Sequence, residues 1–340
     1  MNTFLNCQHD PDKRVASGMR PTGPLHIGHY FGALKNWVEM QHELDSYFFV
    51  VDWHALTSNY EDTSRIGEYV DSMVKDWLAV GLDPEVCSIY LQSHMTELAE
   101  LNLLLGMVTP LGWLERCPTY KEQLQNIVGK DLTNFGFLGY PVLMAADIIV
   151  LRARWVPVGI DQEPHLELTR EIARRFNNFY GNVFPEPQAR LTPSPKCPGL
   201  DGRKMSKSYD NGIFLTDSIE SLTPKVRGML TDKNRLRRTD PGNPDECNLY
   251  PYHELLTDEA TRAKIREGCT SAAMGCVECK QIMIDGLKRF LDPIHERRAK
   301  IDAKPNYVRD VLMAGNEKAR KEIALTMRAA REAMKIDYYR

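Results

Sequence analysis

Apolar residues in the first half of the chain fall alternately into short continuous runs and into stripes with three- and four-residue spacing. The runs suit strands buried on both faces, and the stripes suit the helices that cover them. Tyr47-Phe-Phe-Val-Val51 is one such run, followed by the polar Asp52-Trp-His54. Val86-Cys-Ser-Ile-Tyr-Leu91 is a second, preceded by a helical pattern that stops at Gly81. Trp155-Val-Pro-Val158 is a third and ends at Gly159. After it, roughly from 162 to 176, Leu166, Thr169, Ile172, Ala173 and Phe176 share one helical face. The alternation predicts an α/β fold, a Rossmann-like doubly wound parallel sheet covered by helices.

Between Gly181 and Asp201 the sequence is rich in proline (PEPQARLTPSPKCPGLDG) and reads as a loop between two parts. Beyond it, helix formers dominate and strand-like runs are few, which predicts a mainly helical second domain. Near the end Ala319, Ile323, Met327, Ala330 and Met334 recur every three or four positions, as a docked amphipathic helix requires.

Composition narrows the class. A chain of 340 residues with 26% charged and 43% hydrophobic residues is neither disordered nor collagen-like, and it is long enough for about two domains. Lys+Arg 43 against Asp+Glu 46 leaves a net charge of −3, so contact with nucleic acid must come from local basic patches rather than a bulk positive field. No apolar run approaches the ~18 residues of a membrane span, and the start, MNTFLNCQHDPDKR, has no apolar signal core. A soluble, cytoplasmic protein is expected.

Two motifs carry chemistry. Ser17-Gly-Met-Arg-Pro-Thr-Gly-Pro-Leu-His-Ile-Gly-His29 lies between a first strand and a helix that continues through Leu34, Trp37 and Val38. Its glycines allow close backbone approach, and the helix start offers free amides to a phosphate. His26 and His29, three apart, can face one ligand, and Gly28 leaves room for a flat base or sugar. About 175 residues later comes Gly202-Arg-Lys-Met-Ser-Lys-Ser208 on a loop. Its two lysines suit a triphosphate whose charge moves onto pyrophosphate as it leaves. Either motif alone has a bland reading as polar surface, but the pair does not.

This HIGH and KMSKS combination resembles the class I aminoacyl-tRNA synthetases. Gly139-Tyr-Pro-Val-Leu-Met-Ala-Ala-Asp-Ile148, Val156-Pro-Val-Gly-Ile-Asp-Gln162, His165-Leu-Glu-Leu-Thr-Arg170 and Phe49-Val-Val-Asp-Trp-His-Ala-Leu-Thr57 resemble tryptophanyl-tRNA synthetases in particular. The resemblance runs through nearly all of 15–336. It implies a homodimeric tryptophan–tRNA ligase using ATP and Mg2+, with tRNA(Trp) as partner. Catalytic roles would fall to His26, His29, Lys204 and Lys207. ATP would be held by Arg20, Thr22, Gly28, His29, Gly159, Asp161, Lys204, Met205, Ser206, Lys207 and Ser208. Tryptophan would meet Asp147 through its indole N–H, Met144 and Val156 as walls, Tyr140 and Gln162 at its amino-acid end, and His54 and Val158. The residues agree with this: an indole needs apolar walls and one acceptor, and Met144 and Asp147 share a helical face. Taken alone, LMAAD also reads as a buried helix with its aspartate in solvent. Ala16 departs from the larger apolar residue of some relatives. A tyrosyl enzyme would need partners for a phenol, a small-molecule adenylyltransferase would lack KMSKS, and a silent tRNA-binding paralogue has no need to keep both motifs intact.

Eight cysteines are the odd feature of the composition. Four of them crowd together as Cys247-x21-Cys269-x6-Cys276-x2-Cys279. Without a secretory signal such a cluster favours metal over disulfides, and the spacing alone suits either zinc or a [4Fe-4S] cluster. The resemblance favours the iron–sulfur cluster, because a bacterial subset of the family carries one through a nearly identical pattern. Arg235, Arg237 and Arg238 nearby are candidates for tRNA phosphates. The expected division is 1–200 for the Rossmann-like catalytic domain, 201–305 for the KMSKS loop and a helical anticodon-side domain with the cysteines, and 306–340 for a C-terminal helix docking back on the first.

Overall fold

The computed structural model describes residues 11–118, 120–121, 132–159, 162–191, 197–205 and 209–338. Five parallel strands form one sheet in the order β3-β2-β1-β4-β5. They are β1 (Arg14–Met19), β2 (Asp45–Val50), β3 (Ser88–Leu91), β4 (Trp155–Val158) and β5 (Gln188–Leu191). The three apolar runs read as strands are β2, β3 and β4. β2 is buried at all six positions, as a central parallel strand requires. The order reverses between β1 and β4, so the crevice outside their carboxyl ends is the expected ligand site.

One prediction from the pattern fails. β5 lies in the proline-rich stretch read as a loop, and pairs with β4 through Val156↔Ala189 and Val158↔Leu191. Its burial pattern is exposed, intermediate, intermediate, exposed, so it shows no apolar run. An edge strand pairs on one side only and tolerates neighbouring prolines, which is why periodicity missed it.

Helices cover both faces. α1 begins as Ile27–His29, widens through a π turn at Tyr30–Leu34 and continues as Lys35–Met40. α2 is Asp52–Asn59, α3 Ile66–Val80, α4 Thr96–Val108, α5 Tyr140–Ile149 and α6 Glu163–Tyr180. Beyond the sheet come α7 (Ile219–Gly228), α8 (Tyr250–Leu256), α9 (Glu259–Thr270), α10 (Cys276–Asp302) and α11 (Tyr307–Ala333). Trp37 stacks on Phe48 at 4.6 Å and meets Trp77 edge-on, fixing α1 and α3 to one face of β2. The other face packs on α4 and α5 through Phe49, Tyr90, Leu101 and Ala145.

α11 lies along β3, with Ala319, Ile323, Met327 and Ala330 fully buried. The approach is close at Gly315, where a Cβ would stand 1.9 Å from the Ile89 carbonyl oxygen. One residue on, Asn316 Oδ1 accepts from Leu91 N–H at 3.0 Å and so satisfies a backbone donor at the open edge of the sheet. No helix among the described residues is long and apolar enough to cross a membrane.

Candidate active site

β1 ends at Met19, and the chain turns through Arg20 and Thr22, the Thr22 N–H donating to Arg20 O at 2.9 Å. His26 is extended and Ile27 opens α1. The His26 N–H donates to His29 Nδ1 at 3.1 Å, which places the neutral His29 ring proton on Nε2. The two imidazoles lie 3.7 Å apart between centroids. A Cβ on Gly28 would stand 2.9 Å from His26 Nδ1, so glycine here is what lets that ring fold over the turn.

The first motif pairs through backbone with the segment just beyond the second. Ile27 N–H donates to Ile213 O and Leu215 N–H donates to Leu25 O, both at 2.9 Å, and His26 bridges Phe214 antiparallel. The segment that follows KMSKS is thereby laid beside the histidines, although about 175 positions separate the motifs in sequence. Lys204 is exposed and Met205 buried. Asp161, Ser206, Lys207 and Ser208 lie outside the described residues.

At the switch point between β1 and β4 opens a cavity of about 220 Å3. Its walls include all seven residues expected around the amino acid, namely His54, Tyr140, Met144, Asp147, Val156, Val158 and Gln162. Gly159, expected at the nucleotide, and Ala16 also line it, whereas Arg20, Thr22, Gly28 and His29 do not. Asp147 is 2% exposed, so the reading of LMAAD with its aspartate in solvent is overturned.

The Asp147 carboxylate is held from two sides. His54 Nε2 donates to Oδ2 at 2.9 Å, and Gln92 Nε2 lies 2.8 Å from both oxygens. Gln92 is itself aimed, because its Oε1 accepts from Trp53 N–H at 3.1 Å. Burial pushes the Asp147 carboxyl above its usual range, and the hydrogen bonds from His54 and Gln92 work in the opposite direction. Tyr140, raised by burial, meets the His54 ring edge-on at 4.5 Å. Gln92 went unrecognised in the sequence. The available signal was its place as the first polar residue after the apolar run of β3, where doubly wound sheets set their functional groups.

The four clustered cysteines come from three elements. Cys247 ends the turn Pro244–Glu246, Cys269 lies in the last turn of α9, and Cys276 and Cys279 open α10. Burial and the other three thiols push Cys279 up to about 12. Arg235 Nη1 stands 3.9 Å from both Cys269 Sγ and Cys276 Sγ, and His253 Nε2 lies 3.2 Å from Cys279 Sγ. Among the described residues no group of three or more His, Cys, Asp or Glu has the geometry to hold a metal ion. Arg235 and Arg238 have structural work that the charge run did not reveal. Arg235 Nη2 donates to the carbonyls of Arg238 and Met274, and Arg238 Nη2 to that of Ala273. Arg237 is exposed.

Comparison with known proteins agrees with this geometry. A family model described as "tRNA synthetases class I (W and Y)" matches residues 8–292. The chain belongs to that family. The tryptophan–tRNA ligase of Thermotoga maritima is 52% identical over 325 residues, covering 95% of this chain and 99% of that one. The same ligase of Ralstonia nicotianae is 43% identical, covering 96% and 99%. The crystal structure of tryptophanyl-tRNA synthetase from Campylobacter jejuni complexed with ADP and tryptophan superposes with a TM-score of 0.85 at 33% identity, covering 95% of this chain and 99% of that one.

Proposed function

We propose that this protein is a tryptophan–tRNA ligase: it activates L-tryptophan with ATP to tryptophanyl-adenylate and transfers the acyl group to tRNA(Trp), releasing AMP and pyrophosphate. The observation that carries the reading is Asp147, a buried carboxylate held by His54 and Gln92 in a cavity walled by Met144, Val156 and Val158. An indole has one donor on a large apolar ring, and it matches one fixed acceptor among apolar walls.

In the first step the tryptophan carboxylate attacks the α-phosphorus in line, and the bond to the bridging oxygen of pyrophosphate breaks. Most of the acceleration comes from positioning and charge stabilisation. His26 and His29 face the transferring phosphate, while Lys204 and Lys207 stabilise charge on the departing pyrophosphate, with Mg2+ entering on the nucleotide. Arg20, Thr22, Gly28, Gly159, Asp161, Met205, Ser206 and Ser208 complete the ATP site, and Tyr140 and Gln162 hold the amino-acid end of tryptophan. In the second step the 3′-terminal adenosine hydroxyl of tRNA attacks the acyl carbon and AMP leaves.

The division into 1–200, 201–305 and 306–340 assigns activation to the first part, the KMSKS loop and anticodon side to the second, and support of the sheet edge to the third. Cys247, Cys269, Cys276 and Cys279 are read as ligands of a [4Fe-4S] cluster, with zinc as the alternative. The chemistry of the donors supports the reading, with four thiols drawn from three elements and Arg235 3.9 Å from two of them, although the cysteines do not stand at metal-binding geometry in this structure. When bound, the cluster supplies a cross-link between those elements rather than a step of activation. A homodimer in the cytoplasm is the expected working form. The dimer is supported by the exposed apolar side chains of Leu103 and Met107, four apart on α4, and of Leu111 just beyond.

Aminoacylation of tRNA(Trp) with labelled tryptophan tests the reading. Label must appear on tRNA in an ATP-dependent manner; adenylate formation without transfer would reduce the protein to an adenylate-forming enzyme.

A further inference from the structure

We propose that Asn248, which directly follows Cys247, is a positioning residue for Lys204: its side-chain amide holds the base of the hairpin that carries this lysine. The inference rests on the reading of Lys204 as a charge-stabilising group.

The hairpin is small. Pro198 and Lys204 bridge antiparallel, Gly199 N–H donates to Arg203 O at 2.6 Å, and the chain reverses at Gly202 with φ +84°. A two-stranded hairpin of this size is marginal on its own in water. Side chains from outside hold it. Asn211, 3% exposed, donates through Nδ2 to the Asp201 carboxylate at 2.8 Å and to the Lys204 carbonyl at 3.2 Å. It packs so closely on Gly199 that a Cβ there would stand 2.2 Å from Nδ2.

The segment that leaves the cysteine site holds the hairpin as well. Asn248 Nδ2 donates to the carbonyls of Gly199 at 2.9 Å and Leu200 at 3.4 Å. The Tyr252 hydroxyl, one helical turn on, donates to the carbonyl of Pro198. Three successive carbonyls of the ingoing strand are therefore met by donors from one short stretch of chain. Asn248 is absent from the walls of the amino-acid cavity and lines instead, with Asp201, Gly202 and Arg203, a separate cavity beside the hairpin.

A charge meant for a departing pyrophosphate must stand within about 1 Å of its place, and misplacement on that scale costs on the order of a hundredfold in rate. Removing the Asn248 donor therefore lowers turnover while leaving the tryptophan cavity as it is. Asn248→Asp is the informative variant, since it keeps size and shape and sets a carboxylate oxygen against the two carbonyls.

In tryptophan-dependent ATP–pyrophosphate exchange, Asn248→Asp is expected to lower kcat at least about tenfold with KM for tryptophan within about twofold of wild type. Tyr252→Phe shifts kcat in the same direction by a smaller factor, and it decides the matter if Asn248→Asp does not fold. In a Lys204→Ala background, Asn248→Asp costs less than it does in the wild type, because part of what it positions is already gone. A folded Asn248→Asp enzyme with wild-type kcat overturns the proposal, as do losses that simply multiply in the double variant. If Lys204→Ala alone leaves exchange unchanged, the reading of the loop fails and the proposal falls with it. An impaired Lys204→Ala beside an unimpaired Asn248→Asp sinks the proposal only.

Discussion

Gln92 Nε2 stands 2.8 Å from both oxygens of Asp147, so the carboxylate that faces the cavity is oriented by a residue 55 positions away in the chain. With His54 on Oδ2, the acceptor is fixed before substrate arrives. Preorganisation of this kind lets a single hydrogen bond discriminate between aromatic rings, since a ring that offers no donor leaves the remaining, cavity-facing acceptor site of that carboxylate unmet.

Asp147→Ala accordingly costs on the order of 2 to 4 kcal/mol in kcat/KM for tryptophan, and tyrosine does not become a good substrate. Steady-state exchange with both amino acids checks this. Activation of tryptophan by Asp147→Ala at the wild-type rate would show that the cavity binds something else.

Protonation of the same group sets a pH limit. The carboxylate is a stronger acceptor for the indole N–H than the protonated acid, and burial raises the Asp147 carboxyl, so kcat/KM for tryptophan falls as pH drops through a value above the ~3.9 of an ordinary aspartate. The inflection belongs to the group only if it disappears in Asp147→Asn. An unchanged acid limb in that variant assigns it elsewhere.

The legible and illegible parts of this site differ for physical reasons. β2, β3 and β4 are buried strands whose apolar runs mark them, and His26, His29, Lys204 and Asp147 sit in contiguous motifs. Gln92 has no motif around it; only the fold brings the end of β3 to the last turn of α5. β5 was hidden because an edge strand at the rim carries no apolar run. Asn248 was silent because it acts through backbone carbonyls of a hairpin almost fifty positions away, a relationship that no spacing in sequence encodes.

Lys207→Ala is expected to reduce kcat for adenylate formation by roughly a hundredfold while affinity for tryptophan changes little, because its charge matters most as pyrophosphate departs. Lys204→Ala behaves likewise, less severely. Rapid-quench measurement of adenylate beside equilibrium binding of tryptophan separates the two quantities, and parallel losses in both would indicate a folding defect.

The docking of α11 on β3 is a matter of stability. Gly315→Ala forces a Cβ against the Ile89 carbonyl and costs about 1–3 kcal/mol or more. Asn316→Ala leaves the Leu91 N–H unpaired at the sheet edge, a loss of roughly 1–3 kcal/mol. Denaturant unfolding monitored by tryptophan fluorescence measures both, and wild-type stability for Gly315→Ala contradicts the packing described.

Anaerobically purified protein is expected to be brown, absorbing broadly near ~400 nm with about four irons per chain, and Cys276→Ser to lose both. Iron, sulfide and zinc analysis distinguishes the alternatives: zinc gives a colourless protein. A metal-free wild type that charges tRNA at full rate removes the cysteine site from the account.

The central claim is tested most directly by pyrophosphate exchange with each of the twenty amino acids in turn, using purified protein, ATP and Mg2+. Rapid exchange that depends on tryptophan, with tyrosine and phenylalanine far below it, is the predicted result. No exchange with any amino acid, or exchange with tyrosine as fast as with tryptophan, contradicts it.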